Sequence, residues 1–552
     1  MAPHESPADL VLTGGAVQTM DAARREAASV AISGGRIAAV GSVRDVEAFV
    51  GPRTRRIDLA GRTLLPAFGD SHVHPVLAGL GLTRCPLHEL PHSLDAYLGA
   101  IGAYAAANPD RPWVLGEGWY MDAFPGGTPS RTDLDRVVPD RPALFWNRDH
   151  HGAWANSRAL ELAGFTRDTP DPADGRIERE DDGEPQGTLH EGAAAAGERL
   201  VPPAAVEELV HGIELAQAYL HRLGVTHWQD AWVTPADGDA YRLLAERGRL
   251  TARATACLWW DRDRGAEQID ELVERRRTGK VGRLVSNTIK IMTDGVAENY
   301  TASMLEGYLD GQGGATANRG IDFVAPGDLA RHVTALDALG FQVHMHTLGD
   351  RAVRQGLDAI EAALNANGPS DNRHHLAHLQ VVDPADWPRF RQLNAGANIQ
   401  PYWACNDGQM TELTLPFLPP ERGRLQYPFR SLHQAGAMLV GGSDWSVSTP
   451  NVLMEVEVAV TRRSPEDRSL PPFLPEQALV LRDALAAFTI GSAWVNHLDD
   501  IAGTVEVGKA ADLVVLDRDL FAPDAGPIGD ARVLLTLVEG EAVFEDPGLE
   551  VA

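Results

Sequence analysis

The chain has 552 residues, 44% of them hydrophobic and 23% charged, with a formal net charge of -28. This is the composition of a globular protein with a large core, and its acid excess repels both a phosphate backbone and an anionic membrane surface, so neither nucleic acid nor membrane is expected as a partner. The scattered Cys85, Cys257 and Cys405 exclude a disulfide framework or a cysteine-rich zinc site, and without a secretory-type start or an apolar run of spanning length a reducing cytoplasm is the expected location.

In chain order, Leu10 to Leu65 alternates short apolar runs with paired glycines (LVLTGGAVQTM, ASVAISGGRIAAVG, RRIDLAGRTLLP), which predicts hairpins. Eight short apolar runs follow, at Leu64–Val73, Gly224–Trp232, Ala252–Trp260, Ser286–Thr293, Phe341–His346, Arg373–Val381, Ala397–Tyr402 and Ala437–Gly441. Helix-like segments such as AAVEELVHGIELAQAYLHRLG separate most of them. Eightfold strand–helix alternation predicts an α/β fold, a (β/α)8 TIM-like barrel over residues 65–500. The first gap is too long for one crossover, so residues of about 81–200 are expected to form an insertion that could lid the active face. The last stretch (GTVEVGKAADLVVLDRD, RVLLTLVEGEAVFED) is again β-prone. Residues 1–64 and 501–552 are therefore expected to combine into one small β-sandwich.

Chemistry-bearing residues gather where these strands end. His72 and His74 close the first run, and on a strand residues two apart share a face, so both imidazoles can reach one ion. His344 and His346 repeat the spacing, and His374 and His378 share a face if their strand is regular. Asp444 follows the glycine pair of MLVGGSDW, where a ligand can approach the backbone closely. Each alone is more simply a satisfied core histidine or a capping aspartate. Their recurrence at the ends of separate barrel strands, where catalytic groups collect, is hard to obtain by packing. Lys290, inside SNTIKIMTDG, is either salt-bridged, for instance to Asp294, or has a depressed pKa that lets its amine take up carbon dioxide as a carbamate.

Together, HVHP, IKIMTDG, HTLGDRAV, HLAHLQ and GGSDW resemble the ordered motifs of the amidohydrolase superfamily, and more narrowly a bacterial branch containing the N-substituted formamide deformylases. The resemblance covers nearly the whole chain, including GRIAAVG, GTVEVGKAADLVVLD and the insertion's GEGWYMDAFPGGTPSRTDLDRVVPDRPALF and HHGAWANSRAL. It implies one or two divalent ions, zinc or a similar metal, held by His72, His74, Lys290, His346, His378 and Asp444. Lys290 would be N-carboxylated and bridging, His344 a supporting neighbour, and Asp444 both a ligand and the catalytic base. The reaction implied is attack of metal-activated water on an amide-type C–N bond, with the proton carried by Asp444 to the departing amine.

Substrate contacts are sought in the insertion, at Trp119, Tyr120, His151 and Trp154, although these aromatics read equally as the insertion's own core. Glu298, Asn299 and Tyr300 follow Lys290 on a loop where barrel enzymes read their substrates, and Asp350 with Arg351 reads as a helix-start ion pair. The expected partner is a small, neutral or cationic amide, an N-substituted formamide first. The assembly is left open, a homodimer included. Hydrolysis of a cyclic amide, carbamate or N-acyl amino acid, deamination, and a metal-binding protein without activity are the competing readings.

Overall fold

The computed structural model describes residues 7–549 apart from 24 and 89; residues 1–6 and 550–552, assigned above to the sandwich, lie outside the described residues. Eight parallel strands form the central sheet: β1 (Phe68–Val73), β2 (Val225–Val233), β3 (Arg253–Trp259), β4 (Leu284–Met292), β5 (Gln342–Thr347), β6 (His375–His378), β7 (Gly396–Ile399) and β8 (Met438–Gly441). They lie in sequence order, each hydrogen-bonded to the next. The Asp444 amide donates to the His72 carbonyl at 2.7 Å, and the Ser443 amide to Asp70 Oδ1 at 2.9 Å, tying the last strand's end to the first. This is the (β/α)8 barrel, and all eight strands fall within the eight apolar runs or a residue or two of their ends. Strands buried on both faces read as continuous apolar text, which is why they were visible.

The glycine pair after β8 has a packing reason. A Cβ on Gly442 would sit 2.7 Å from His72 Cβ, and one on Gly441 2.7 Å from the Phe488 ring. What approaches this backbone closely in the structure is the first strand and a core aromatic.

The chain's two ends do meet. Leu10–Thr13, Ser29–Ser33, Arg36–Gly41 and Arg55–Asp58 form a four-stranded sheet. Ala16–Gln18, Glu26–Ala27 and Thr63–Pro66 join Leu513–Leu516, Val533–Val538 and Glu541–Glu545 in a six-stranded one, with Leu64 opposite Val515. Leu12, Val30, Ile32, Leu64, Leu513, Val515 and Leu535 fill the core between them.

Between β1 and β2 lies another six-stranded sheet, built from strands between Cys85 and Glu191. Its core holds Tyr97, Trp119, Phe145 and Trp154. Among the described residues no helix is long and apolar enough to cross a membrane.

Candidate metal centre

His72 and His74 project from the end of β1 toward the Asp444 carboxylate. His72 Nε2 lies 3.3 Å and His74 Nε2 2.9 Å from Oδ1, and His378 Nδ1 lies 3.7 Å from Oδ2. Ligand atoms of His72, His74 and Asp444 all fall within 4.8 Å of one another. Lys290 Nζ is 3.4 Å from His72 Nε2, and the His346 ring is centred 4.5 Å from that of His378. All six side chains line one cavity of about 890 Å³ at the C-terminal end of the barrel strands.

The donor set fits a divalent cation. Both ring nitrogens of His378 and Nδ1 of His74 are buried without a hydrogen-bond partner, which a folded protein rarely tolerates unless something else takes the lone pairs. Burial, reinforced by the Lys290 charge, presses the His72 pKa down to about 3, and burial takes His346 and His378 well below the ordinary value. These imidazoles are therefore neutral, the form that binds metal. Burial pushes the Asp444 carboxyl up, but the surrounding imidazoles, His72 foremost, more than reverse this and hold it well below the carboxylate range. Burial lowers Lys290 to about 8, so the unprotonated amine that a carbamate requires is far more accessible near neutrality than in an ordinary lysine.

Asp294 is not the partner of Lys290. Its carboxylate accepts from His346 Nδ1 at 3.1 Å and from the backbone amides of Ser303 (2.9 Å), Leu348 (3.1 Å) and Gly349 (2.9 Å), so it orients His346 instead. His344 supports the centre from beneath, its Nε2 lying 2.9 Å from His72 Nδ1. His374 and His378 do not share a face. His378 turns into the cavity through a φ of 79°, whereas His374 pairs with Asp337 at 3.0 Å and accepts from the Val343 amide.

The candidate substrate contacts divide. His151 lines the cavity, its ring 5.5 Å from that of His346 and its Nδ1 2.9 Å from Glu191 Oε2. Burial pulls its pKa down, but Glu191 and Asp149 lift it to about 9. Trp119 and Trp154 are core residues of the insertion, their indole N–H groups donating to the Phe145 and Ser130 carbonyls. Tyr120 stacks on His92 and lies under the Arg148 guanidinium. Glu298 accepts from Thr414, Asn299 donates to the His151 carbonyl, and Tyr300 packs on Tyr308 and Phe417. These three anchor the loop to neighbouring segments, and the cavity wall there is Val296. Asp350 and Arg351 pair apart, with Arg422 and Asp322 respectively. Sequence reasoning missed Glu191 and Trp403, the latter stacked on His378 at 5.9 Å, because only the fold brings them to the site.

A (β/α)8 barrel with neutral imidazoles, a lysine and an ionised aspartate converging at its C-terminal end defines a metal-dependent hydrolase. The chain belongs to the amidohydrolase family, whose model matches residues 55–544. It is 30% identical to protein LONG AFTER FAR-RED 3 of Arabidopsis thaliana over 97% of this chain and 92% of that protein. It is 27% identical to the N-substituted formamide deformylase of Arthrobacter pascens, covering 98% and 99% of the two chains. A solved structure of an uncharacterized metal-dependent hydrolase from Pyrococcus furiosus superposes with a TM-score of 0.70 at 25% identity, over 92% of this chain and 99% of that one.

Proposed function

We propose that the chain hydrolyses the C–N bond of a small neutral or cationic amide, foremost an N-substituted formamide. In this reading His72, His74, Lys290, His346, His378 and Asp444 hold one or two divalent ions of the zinc class, with Lys290 as a bridging carbamate. The single observation that carries it is the convergence of these six side chains, the Asp444 carboxylate among them, from the ends of five barrel strands on one cavity. A bound ion of this class lowers the pKa of water toward neutrality and polarises a carbonyl. Asp444, ionised and buried, is placed to take the water's proton and return it to the departing nitrogen. His151, cationic beside Glu191, offers positive charge to the substrate's carbonyl oxygen from the insertion side.

The cavity wall favours an uncharged or cationic substrate. Asp149, Asp171, Asp174, Asp261, Asp263 and Asp322 line it against Arg199 and Arg262, and Arg262 is already paired with Asp174. An N-acyl amino acid would bring a carboxylate into that field. The relative named as a formamide deformylase supports the substrate class.

The test is a chelated protein reconstituted with zinc, manganese or cobalt and offered formamides, cyclic amides, carbamates, N-acyl amino acids and amino-substituted heterocycles. Metal-dependent release of formate and a primary amine is the expected result. Ammonia released from a heterocycle, with formamides left intact, would replace the deformylase reading by deamination.

A further inference from the structure

Beneath the centre the barrel interior is polar where aliphatic layers usually fill such barrels. Gln342, His344 and His346 alternate along β5 and so share its inner face, stacked from the floor to the cavity. Gln229 of β2 and Thr288 of β4 meet them there. Gln229, Thr288, Gln342 and His344 are all at most 1% exposed, so every polar contact among them must be matched donor to acceptor.

The matching starts at the floor. Gln342 Nε2 donates to two backbone carbonyls, Arg373 O at 2.9 Å and Val495 O at 2.8 Å. Carbonyls only accept, so the amide cannot be flipped and its Oε1 must face upward. That oxygen accepts from Thr288 Oγ1 at 2.8 Å and from Gln229 Nε2 at 2.8 Å. Gln229 is thereby oriented too, its Oε1 turned to His344 Nδ1 at 3.2 Å, with the Cys257 thiol donating to the same oxygen at 3.4 Å. The Gln229 oxygen, an acceptor, faces His344 Nδ1 more closely than the weakly donating Cys257 thiol at 3.7 Å, so that nitrogen carries the ring proton. A second proton would make His344 a cation buried among His72 and His375, at a heavy desolvation cost. Its Nε2 is then a bare lone pair, and His72 Nδ1, 2.9 Å away, must be the N–H. The only lone pair left on His72 is at Nε2, the atom 3.3 Å from Asp444 Oδ1 and 3.4 Å from Lys290 Nζ.

We infer that Gln342, Gln229 and His344 form a tautomer relay that fixes His72 in its Nδ1–H form, so that Nε2 is presented to the metal. These are positioning residues: none reaches the cavity, and each acts through the next. A metal-binding histidine commonly donates its second nitrogen to a carboxylate or backbone carbonyl; here the final acceptor is an imidazole, and its polarity is set two residues away at the barrel floor.

The inference rests on His72 being a ligand, and the parent protein tests that separately. Apoprotein is titrated with zinc against a chromophoric chelator, and folding of each apoprotein is followed by circular dichroism. His344→Leu removes the acceptor and should weaken zinc binding 10- to 100-fold. His344→Gln restores an acceptor oxygen toward His72 and a donor toward Gln229, and should bind within about threefold of the parent by the same reasoning. Gln342→Met, three hydrogen bonds from His72, should also weaken zinc binding while leaving the cavity wall untouched. A folded Gln342→Met protein with the parent's zinc affinity would overturn the relay, and so would a His344→Gln protein as weak as His344→Leu. A parent protein that binds no zinc would overturn the metal centre together with the relay.

Discussion

Asp444→Asn separates the proposed base from the scaffold that holds it. Asp444 has a φ of 57°, in the left-handed region that asparagine tolerates better than most residues. The exchange therefore keeps the backbone, its amide hydrogen bond to the His72 carbonyl, and one oxygen able to face His74 and His72. What disappears is the ability to take a proton and one negative charge. General-base catalysis contributes about 10²- to 10⁴-fold, equivalent to about 2.7–5.4 kcal/mol of barrier, so kcat should fall by that factor. The assay is formate and amine release at saturating substrate with zinc in excess, beside metal content after dialysis. Substantial zinc retention with kcat down at least 100-fold is the expected pair. A variant that turns over within tenfold of the parent would remove Asp444 from proton transfer, whatever its zinc content.

Four further substitutions address the surroundings. Asp294→Asn sets an NH₂ group against amides that now find only acceptor oxygens; about 1–3 kcal/mol of stability and 10- to 100-fold in metal affinity should be lost, and an unchanged apoprotein melting temperature and zinc affinity would contradict the assigned role. Two glycines give opposite signs in thermal unfolding. A Cβ on Gly79 would lie 2.0 Å from the Gly212 carbonyl oxygen, where helices Pro75–Gly81 and Val206–Arg222 cross, so Gly79→Ala should cost about 1–3 kcal/mol. Gly99 has open space in helix Leu94–Ala107, and Gly99→Ala should stabilise by about 0.5–1 kcal/mol. In the insertion, burial pushes Glu178 up, but His190 and Arg176 bring its pKa from 4.5 down to about 2. A depressed carboxyl stabilises the fold above its unfolded value and loses that contribution as pH falls through the folded one. The melting-temperature gap between parent and Glu178→Gln should therefore be widest above pH 4.5 and close toward pH 2; a gap independent of pH would refute the pairing.

The barrel was legible because burial on both faces writes each strand as an apolar run, and the histidine pairs at the ends of β1 and β5 because side-chain direction repeats every two residues. That periodicity fails where the backbone departs from it. His374 was grouped with His378 on the premise of a regular strand, and one positive φ at His378 sends them to different environments. Trp119 and Trp154 show a second limit. A large aromatic in a Gly- and Pro-rich insertion has the same text whether it walls a cavity or fills a core, and only the partners of the indole N–H groups, Phe145 and Ser130 carbonyls, decide for the core.

The supporting residues mark the deepest limit. Asp294 stood in the sequence beside Lys290, and the economical pairing joined two opposite charges four residues apart. The strand runs on between them, so Lys290 faces the cavity while Asp294, past the end of β4, reaches sideways to β5 and the amides of the following turn. Gln342 was equally visible, two residues before His344 on the same inner face. Its partner Gln229 lies 113 positions away on β2, with β3 and β4 between it and β5, and the two meet only across the barrel interior. Ligands are recognisable one strand at a time because each needs only to end at the same rim. The groups that set a ligand's protonation must also agree on which atom donates, a condition on several strands at once. That agreement is written in three dimensions, and for His72 it begins with two carbonyls on the barrel floor, Arg373 and Val495.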